Sequence, residues 1–144
     1  MITVVNKHYH IPTDKDYYVG RPSALGNPYA TKPSKVAAYR AETSRIAISH
    51  YAQWLARKIE QNDLRVVTAL KAIPLDANLV CWCAPRPCHA SVIKEFLEMG
   101  TISYICSEGD CYGRGRWTTD CGVSMNCFAC NGTGYITETI KYPE

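Results

Sequence analysis

The sequence lacks any apolar run long enough to span a membrane, because no stretch approaches the ~20 consecutive apolar residues that a transmembrane helix needs. The first ten residues also lack the apolar core and small-residue cleavage site of a signal peptide. We therefore expect a cytoplasmic protein without a membrane partner. A Walker loop, an HExxH motif, a dinucleotide-binding glycine fingerprint and a Ser-His-Asp order are likewise missing, which disfavours the chemistries that use them.

The composition is that of an ordinary folded domain. The chain has 144 residues, of which 47% are hydrophobic and 20% are charged, so it has material for one principal core. Charge is divided unevenly: residues 1–100 carry 13 Lys and Arg against 8 Asp and Glu, whereas residues 101–144 carry 3 against 5. We expect an α/β domain over residues 1–100 and a cysteine-rich zinc-binding module over residues 101–144.

Predicted strands and helices alternate over residues 1–100. Short β-branched or aromatic segments predict strands at 2–5, 17–19 and 78–82. Apolar residues at helical spacing predict helices at 43–60, 64–71 and 89–99, the last of which stops at Gly100. This alternation favours an α/β layer architecture with parallel strands, in which ligands bind beyond the carboxyl ends of the strands.

Two loops follow predicted strands and are rich in unusual residues. The 20–28 loop (GRPSALGNP) offers the bidentate fork of Arg21 and the mixed donor and acceptor of Asn27. The 81–89 loop (CWCAPRPCH) leads into a helix, whose first amides, together with Arg86 and His89, would bind a phosphate or a carboxylate. We expect the two loops to meet at one edge of the sheet.

Each loop also has other interpretations. Arg21 and Asn27 could tie the 20–28 loop to the sheet instead of contacting a ligand. The second loop could bind a second metal through Cys81, Cys83, Cys88 and His89. The sequence leaves this question open. Alternatively, the cysteines of this loop could pack as small hydrophobic residues, which is the interpretation we favour for Cys81.

The tail repeats a short cysteine motif. Cys106-x4-Cys111 and Cys127-x2-Cys130 are each followed by x-Gly-x-Gly. Zinc favours ligand pairs at this spacing, because four thiolates must converge tetrahedrally from two tight turns, and we expect these four to hold one structural Zn²⁺. Disulfides or buried thiols are the alternative, and Cys121 is expected outside the ligand set unless it replaces Cys106.

These motifs resemble known families. The second knuckle is similar to the Cys-x-x-Cys-x-Gly-x-Gly repeat of DnaJ-type co-chaperones, over residues 106–134 only. VGRPSALGNPY at 19–29 and LVCWCAPRPCHA at 79–90 together resemble domain of unknown function 4326, found in phages and bacteria, over roughly residues 2–98. A weaker likeness to domain of unknown function 488 implies a small Rossmann-like three-layer sheet. The family pattern singles out Arg21, Asn27, Cys83, Cys88 and His89.

We therefore expect a phage or bacterial protein, in the host cytoplasm if phage-encoded, that binds a small anionic or nucleotide-like ligand at the two loops. If it also processes a nucleotide or nucleoside, His89 would transfer protons and Cys88 would be the nucleophile or its helper. The alternative is a zinc-stabilised module that binds a host protein or nucleic acid without turnover. The ligand, any reaction and the oligomeric state do not follow from the sequence.

Overall fold

The computed structural model describes residues 1–21, 23–30, 39–40, 44–82, 88–106, 116–118, 121–122, 124–126, 130 and 132–143. The helices among them are α1 (Ser44–Glu60), α2 (Leu64–Lys71) and α3 (Ala90–Met99). The strands are β1 (Thr3–Asn6), β2 (Asp16–Tyr18), β3 (Tyr29–Ala30), β4 (Tyr39–Arg40), β5 (Asn78–Cys81), β6 (Thr101–Ile105), β7 (Arg116–Thr118), β8 (Ser124–Asn126) and β9 (Tyr135–Thr139).

A small parallel sheet lies at the centre of this mixed α/β fold. Its strand order is β1-β5-β2, with β5 parallel to both neighbours. Val4 and Tyr17 therefore flank Leu79, and the carboxyl ends of all three strands lie at one edge. This arrangement confirms the expected α/β class and the parallel pairing.

The apolar stripe of α1 is buried in the core. Ala52, Leu55 and Ile59 recur at helical spacing and are fully buried, as the sequence predicts. They belong to one hydrophobic cluster with Leu79 of β5 and Ile93 of α3. The cluster thus joins the helices to the parallel sheet, with α3 in contact with β1 and β5.

The helix ends follow from local chemistry. The Asp63 carboxylate accepts a hydrogen bond from the Val66 amide at 3.2 Å and so caps α2. Gly100 ends α3 in the left-handed conformation, at φ 72°, which confirms the predicted stop at this glycine.

Hydrogen bonds to the Asp16 carboxylate stabilise the amino edge of the sheet. This carboxylate accepts hydrogen bonds from the Thr13 hydroxyl and from His10 Nε2, both at 2.9 Å, and from Asn78 Nδ2 at 3.2 Å. Desolvation alone would raise the pKa of Asp16, but the hydrogen bonds from Thr13, His10 and Asn78 outweigh it and hold that pKa well below its usual range. The ionised carboxylate therefore fixes the β1–β2 connection to the start of β5.

The hydrophobic core continues into the tail. Strand β6 pairs with the antiparallel strand β9 and packs on α1 and α3. Ile102 of β6 and Ile140, which directly follows β9, are buried in the same cluster as α1. The Arg57 guanidinium on α1 also lies 2.7 Å from Glu138 of β9. Residue 100 thus marks a change of composition, whereas the core extends across it.

None of the helices within the described ranges is long and apolar enough to cross a bilayer.

We predict that Ile102→Ala destabilises the whole protein by about 2–5 kcal/mol, because it opens a cavity in a fully buried site shared by β6 and the helices. Denaturant unfolding followed by circular dichroism measures this change. Thr139→Ala, at an exposed position of the same two-stranded sheet, is the control and should stay within about 0.5 kcal/mol of wild type. A separate low-stability transition for the tail would contradict the shared core.

Candidate functional site

The 20–28 loop folds back on itself just beyond β2. The Ser23 amide donates to the Gly20 carbonyl at 2.9 Å, and the Gly26 amide donates to the Ser23 carbonyl at 3.0 Å. A Cβ atom at Gly26 would lie 2.9 Å from Arg21 Cα, so only glycine allows this close approach. The loop is therefore compact and has a defined conformation, as its composition predicts.

Helix α1 holds the loop from one side. The Tyr51 hydroxyl, fully buried, donates to the Leu25 carbonyl at 2.8 Å. The Asn27 side-chain oxygen accepts from the Tyr29 amide at 2.8 Å, while its amide nitrogen lies 3.5 Å from the Ala47 carbonyl. Asn27 is 8% exposed, so both ends of its side chain serve to position the loop.

The start of α3 holds the loop from the other side through His89. Its Nε2 lies 2.6 Å from the Val19 carbonyl, which can only accept, so Nε2 carries the proton. In the neutral ring Nδ1 is then an acceptor, and it lies 3.3 Å from Cys88 Sγ, which donates its thiol proton. The imidazole also contacts the Tyr51 ring edge-on, with 5.1 Å between centroids.

Electrostatics keep this imidazole neutral. Burial lowers the pKa of His89, the hydrogen bond to Val19 raises it, and the positive charge of Arg21 lowers it again, with a net decrease from 6.5. Burial, reinforced by Cys88, raises the pKa of Tyr51 well above its usual value. Both side chains are therefore uncharged hydrogen-bonding groups at neutral pH.

The structure brings four of the predicted site residues to the carboxyl edge of the sheet. Arg21 and Asn27 lie on the loop after β2, and Cys88 and His89 lie at the start of α3. The His89–Val19 contact confirms that these two segments meet at one edge. The other two predicted binding residues, Cys83 and Arg86, lie outside the described residues. Cys81 packs in the hydrophobic core, as favoured above.

Two groups on the loop have no hydrogen-bonding or ionic partner within the described part of the chain. The Ser23 hydroxyl oxygen is buried and without a hydrogen bond there. The Arg21 guanidinium likewise makes no hydrogen bond or ion pair with the residues that the structure describes, although its carbonyl accepts from Tyr18. Sequence analysis does not single out Ser23, because nothing in the pattern shows which hydroxyl a turn will bury.

An aromatic and cationic group completes this edge. The Trp82 indole N–H donates to the Tyr18 hydroxyl at 3.0 Å, and that hydroxyl donates to the Arg21 carbonyl at 2.7 Å. Lys7 Nζ lies 4.8 Å from the Tyr18 ring centroid and 5.2 Å from that of Trp82. We call Lys7, Tyr18 and Trp82 the edge cluster. The sequence pattern does not reveal this cluster, although Lys7 and Trp82 directly follow strands.

The tail cysteines fall partly inside the described residues. Cys106 and Cys130 are buried in one small cluster, against which Ile136 packs. The Gly134 amide donates to Cys130 Sγ at 3.3 Å, and the Gly134 carbonyl accepts from the Cys106 amide at 2.9 Å. Cys121 is exposed.

The remaining predicted ligands of the tail, Cys111 and Cys127, lie outside the described residues. Among the residues that are described, no three His, Cys, Asp or Glu side chains form a group able to hold a metal. The tail zinc site and a second metal at the 81–89 loop therefore both stay predictions.

Comparison with protein families identifies the chain. The model of the family described as Domain of unknown function (DUF4326) matches residues 4–99, more than half of the sequence. The chain therefore belongs to this family, which confirms the resemblance drawn from the two loops. The match ends just before β6, so the cysteine tail lies outside it. No curated protein and no solved structure matches the chain.

We predict that stability falls as the pH is lowered through 6.5, because the unfolded histidine takes up a proton there while folded His89, with its lowered pKa, does not. This contribution is fully present above that pH and is lost on acidification. Urea unfolding between pH 7.5 and 5 measures it.

His89→Gln should flatten this pH dependence, whereas His8→Gln, at an exposed position, should leave it unchanged. Imidazole nitrogen NMR of the folded protein should show the Nε2–H tautomer of His89 at pH 7. A His89 ring that protonates above pH 6.5 would contradict the assignment.

Proposed function

We propose that the protein binds a nucleotide or nucleoside-type ligand at the carboxyl edge of the parallel sheet, where the 20–28 loop meets α3. The observation that carries this proposal is the buried Ser23 hydroxyl, which has no partner among the described residues. A buried polar group left unsatisfied costs about 1–3 kcal/mol, and a ligand oxygen that reaches the hydroxyl through a small shift of the loop would remove that cost. The finer architecture proposed here is Rossmann-like, with the ligand beyond the strand ends.

Arg21 is the proposed anion-binding group. Its planar guanidinium matches the geometry of a phosphate or carboxylate and can make two parallel hydrogen bonds. The 20–28 loop contains no Asp or Glu that would neutralise it. Arg86 on the other loop is proposed as a second cation, and Cys83 as a further contact.

The first turn of α3 contributes less to phosphate binding than the sequence suggests. The Ser91 amide donates to the Cys88 carbonyl and the Val92 amide to the His89 carbonyl, each at 3.0 Å. These two amides are therefore already used within the protein. We assign the phosphate contact to arginine side chains instead.

His89 and Cys88 are proposed to position the loop in the binding function. Both ring nitrogens of His89 have protein partners, and Cys88 is 2% exposed. For processing of the ligand, His89 would have to leave the Val19 carbonyl before it could accept or donate a proton there. Catalysis by this pair remains the alternative within the same site.

Arg21→Ala is predicted to weaken AMP binding by roughly 1.5–3 kcal/mol, the value of a charge-assisted hydrogen bond, and to leave the melting temperature nearly unchanged. Isothermal titration calorimetry measures the affinity, which should also fall as salt increases. Arg65→Ala, at an exposed position of α2, is the matched control and should bind AMP as wild type does.

Ser23→Ala separates the ligand role from a structural one. It removes an unsatisfied hydroxyl, so the unliganded protein should be as stable as wild type or more stable, while AMP binds less tightly. The binding proposal fails if wild type binds no AMP and Arg21→Ala instead lowers the melting temperature.

We further propose that the tail is a zinc knuckle that holds one structural Zn²⁺ through Cys106, Cys111, Cys127 and Cys130. Burial of Cys106 and Cys130 in one cluster supports this, as does the Gly134 amide directed at Cys130 Sγ. Such N–H···S bonds orient thiolate ligands and stabilise their charge. Four thiolates leave no open position for substrate, so the role would be structural. Binding of a host protein or nucleic acid by this module stays the alternative function.

Cys130→Ser should reduce bound zinc from one ion per chain to none, whereas Cys121→Ser, at the exposed cysteine, should keep it. Elemental analysis of protein purified without chelator gives the stoichiometry. Removal of zinc from wild type should lower the melting temperature, since knuckle folding depends on the metal. Wild type without zinc, or with a Cys106–Cys130 disulfide, would contradict the proposal.

A further inference from the structure

We infer that Trp82 is the stacking platform for the planar base of the ligand, an inference that rests on the nucleotide-binding proposal and adds the chemistry that selects the ligand. Trp82 lies directly after the central strand β5, at the carboxyl edge. Trp82 as a residue is 52% exposed, whereas a tryptophan that serves only the core hides its ring. Trp54 is a tryptophan of the core type, because it packs against the core beside Tyr51.

The exposed indole is fixed in place. Its N–H donates to the Tyr18 hydroxyl at 3.0 Å, and its backbone carbonyl accepts from Asn6 Nδ2 at 3.1 Å. These contacts hold the two ends of the residue while the ring remains accessible. A ring already held in one orientation loses little conformational freedom when a base stacks on it, which favours binding.

Tyr18 connects the platform to the proposed anion site. A Cβ atom at Gly20 would lie 2.6 Å from Cζ of Tyr18, so the glycine allows the tyrosine ring to lie against the loop backbone. The same hydroxyl that accepts from Trp82 donates to the Arg21 carbonyl at 2.7 Å. One side chain thus sets the position of the stacking ring relative to the arginine loop.

Lys7 places a cation over one face of the platform, so a base would stack on the opposite face of the indole. Its ammonium lies within cation–π distance of both the Tyr18 and the Trp82 rings, at 4.8 and 5.2 Å from their centroids. An aromatic ring next to a positive charge is suited to a ligand with a planar base and an anionic group. Stacking uses the π-face that every base has, so we expect weak preference among bases and clear preference for nucleotides over sugar phosphates.

The decisive probes are adenosine, AMP and ribose 5-phosphate. In ¹⁵N-correlated spectra of the wild-type protein, adenosine and AMP should shift the Trp82 indole N–H signal, and ribose 5-phosphate should leave it nearly in place. Trp82→Phe identifies that signal by its loss. Phenylalanine also keeps a flat ring on which a base can stack. Because little side-chain volume is lost, this variant is expected to fold.

Affinities measured by calorimetry test the energetic role. Trp82→Ala should weaken AMP binding by about tenfold or more, in line with base stacking on aromatic residues, and should leave ribose 5-phosphate affinity unchanged. Trp82→Phe should lose less. If Trp82→Ala fails to fold, the wild-type indole shifts together with Trp82→Phe affinities still decide the question.

The outcomes separate this inference from the binding proposal. An AMP affinity that depends on Arg21 but not on Trp82, with an unshifted indole, overturns stacking and leaves the anion site standing. Adenosine binding that depends on Trp82, with AMP binding insensitive to Arg21→Ala, supports stacking and removes the anion site. If none of the three probes binds, both ideas are wrong.

Discussion

The hydrogen bond between His89 Nε2 and the Val19 carbonyl joins two separate parts of the fold. It links the residue just before α3 to the residue just after β2, and at 2.6 Å in the protein interior it is shielded from water. Its loss would leave the Val19 carbonyl and the Nε2–H group of His89 buried without a partner, at a cost of about 1–3 kcal/mol. The bond also fixes the tautomer through which Cys88 contacts Nδ1 and the orientation in which the imidazole meets the Tyr51 ring.

The shape of the carboxyl edge follows from that constraint. With the loop held by His89 on one side and Tyr51 on the other, Arg21 is confined to the end of β2. The β1-β5-β2 order then places the residues after β1 and β5 next to it, so Lys7 and Trp82 converge on Tyr18. Parallel pairing thus assembles one surface from three separate parts of the sequence.

This convergence explains what the sequence could and could not predict. Helix α1 and its buried stripe were predictable because helical spacing reports burial on one face. The edge cluster was not, because its contacts depend on strand order, which periodicity does not determine. Strand β6 was not predicted for another reason: Ile102 and Tyr104 alternate as in a strand, but the segment is short and stands next to a glycine- and cysteine-rich stretch without hydrophobic periodicity. Strands β3 and β4, two residues each, show no periodicity at all.

The tail is joined to the family domain by ordinary packing. Ile102 and Ile140 complete the core at the surface of α1 and α3. The Ser49 hydroxyl on α1 also accepts a hydrogen bond from the Ile105 amide at 2.9 Å. Cys106 follows directly, so a metal at this position would clamp the end of a strand that α1 already supports. Zinc binding and the stability of the family domain should therefore be coupled: ordering of the cysteines would reinforce β6, and the packing of β6 on α1 would reduce the entropy cost of assembling the ligands. With the proposed zinc bound, such coupling would give a physical reason for a cysteine-rich tail that shares the core of the family domain.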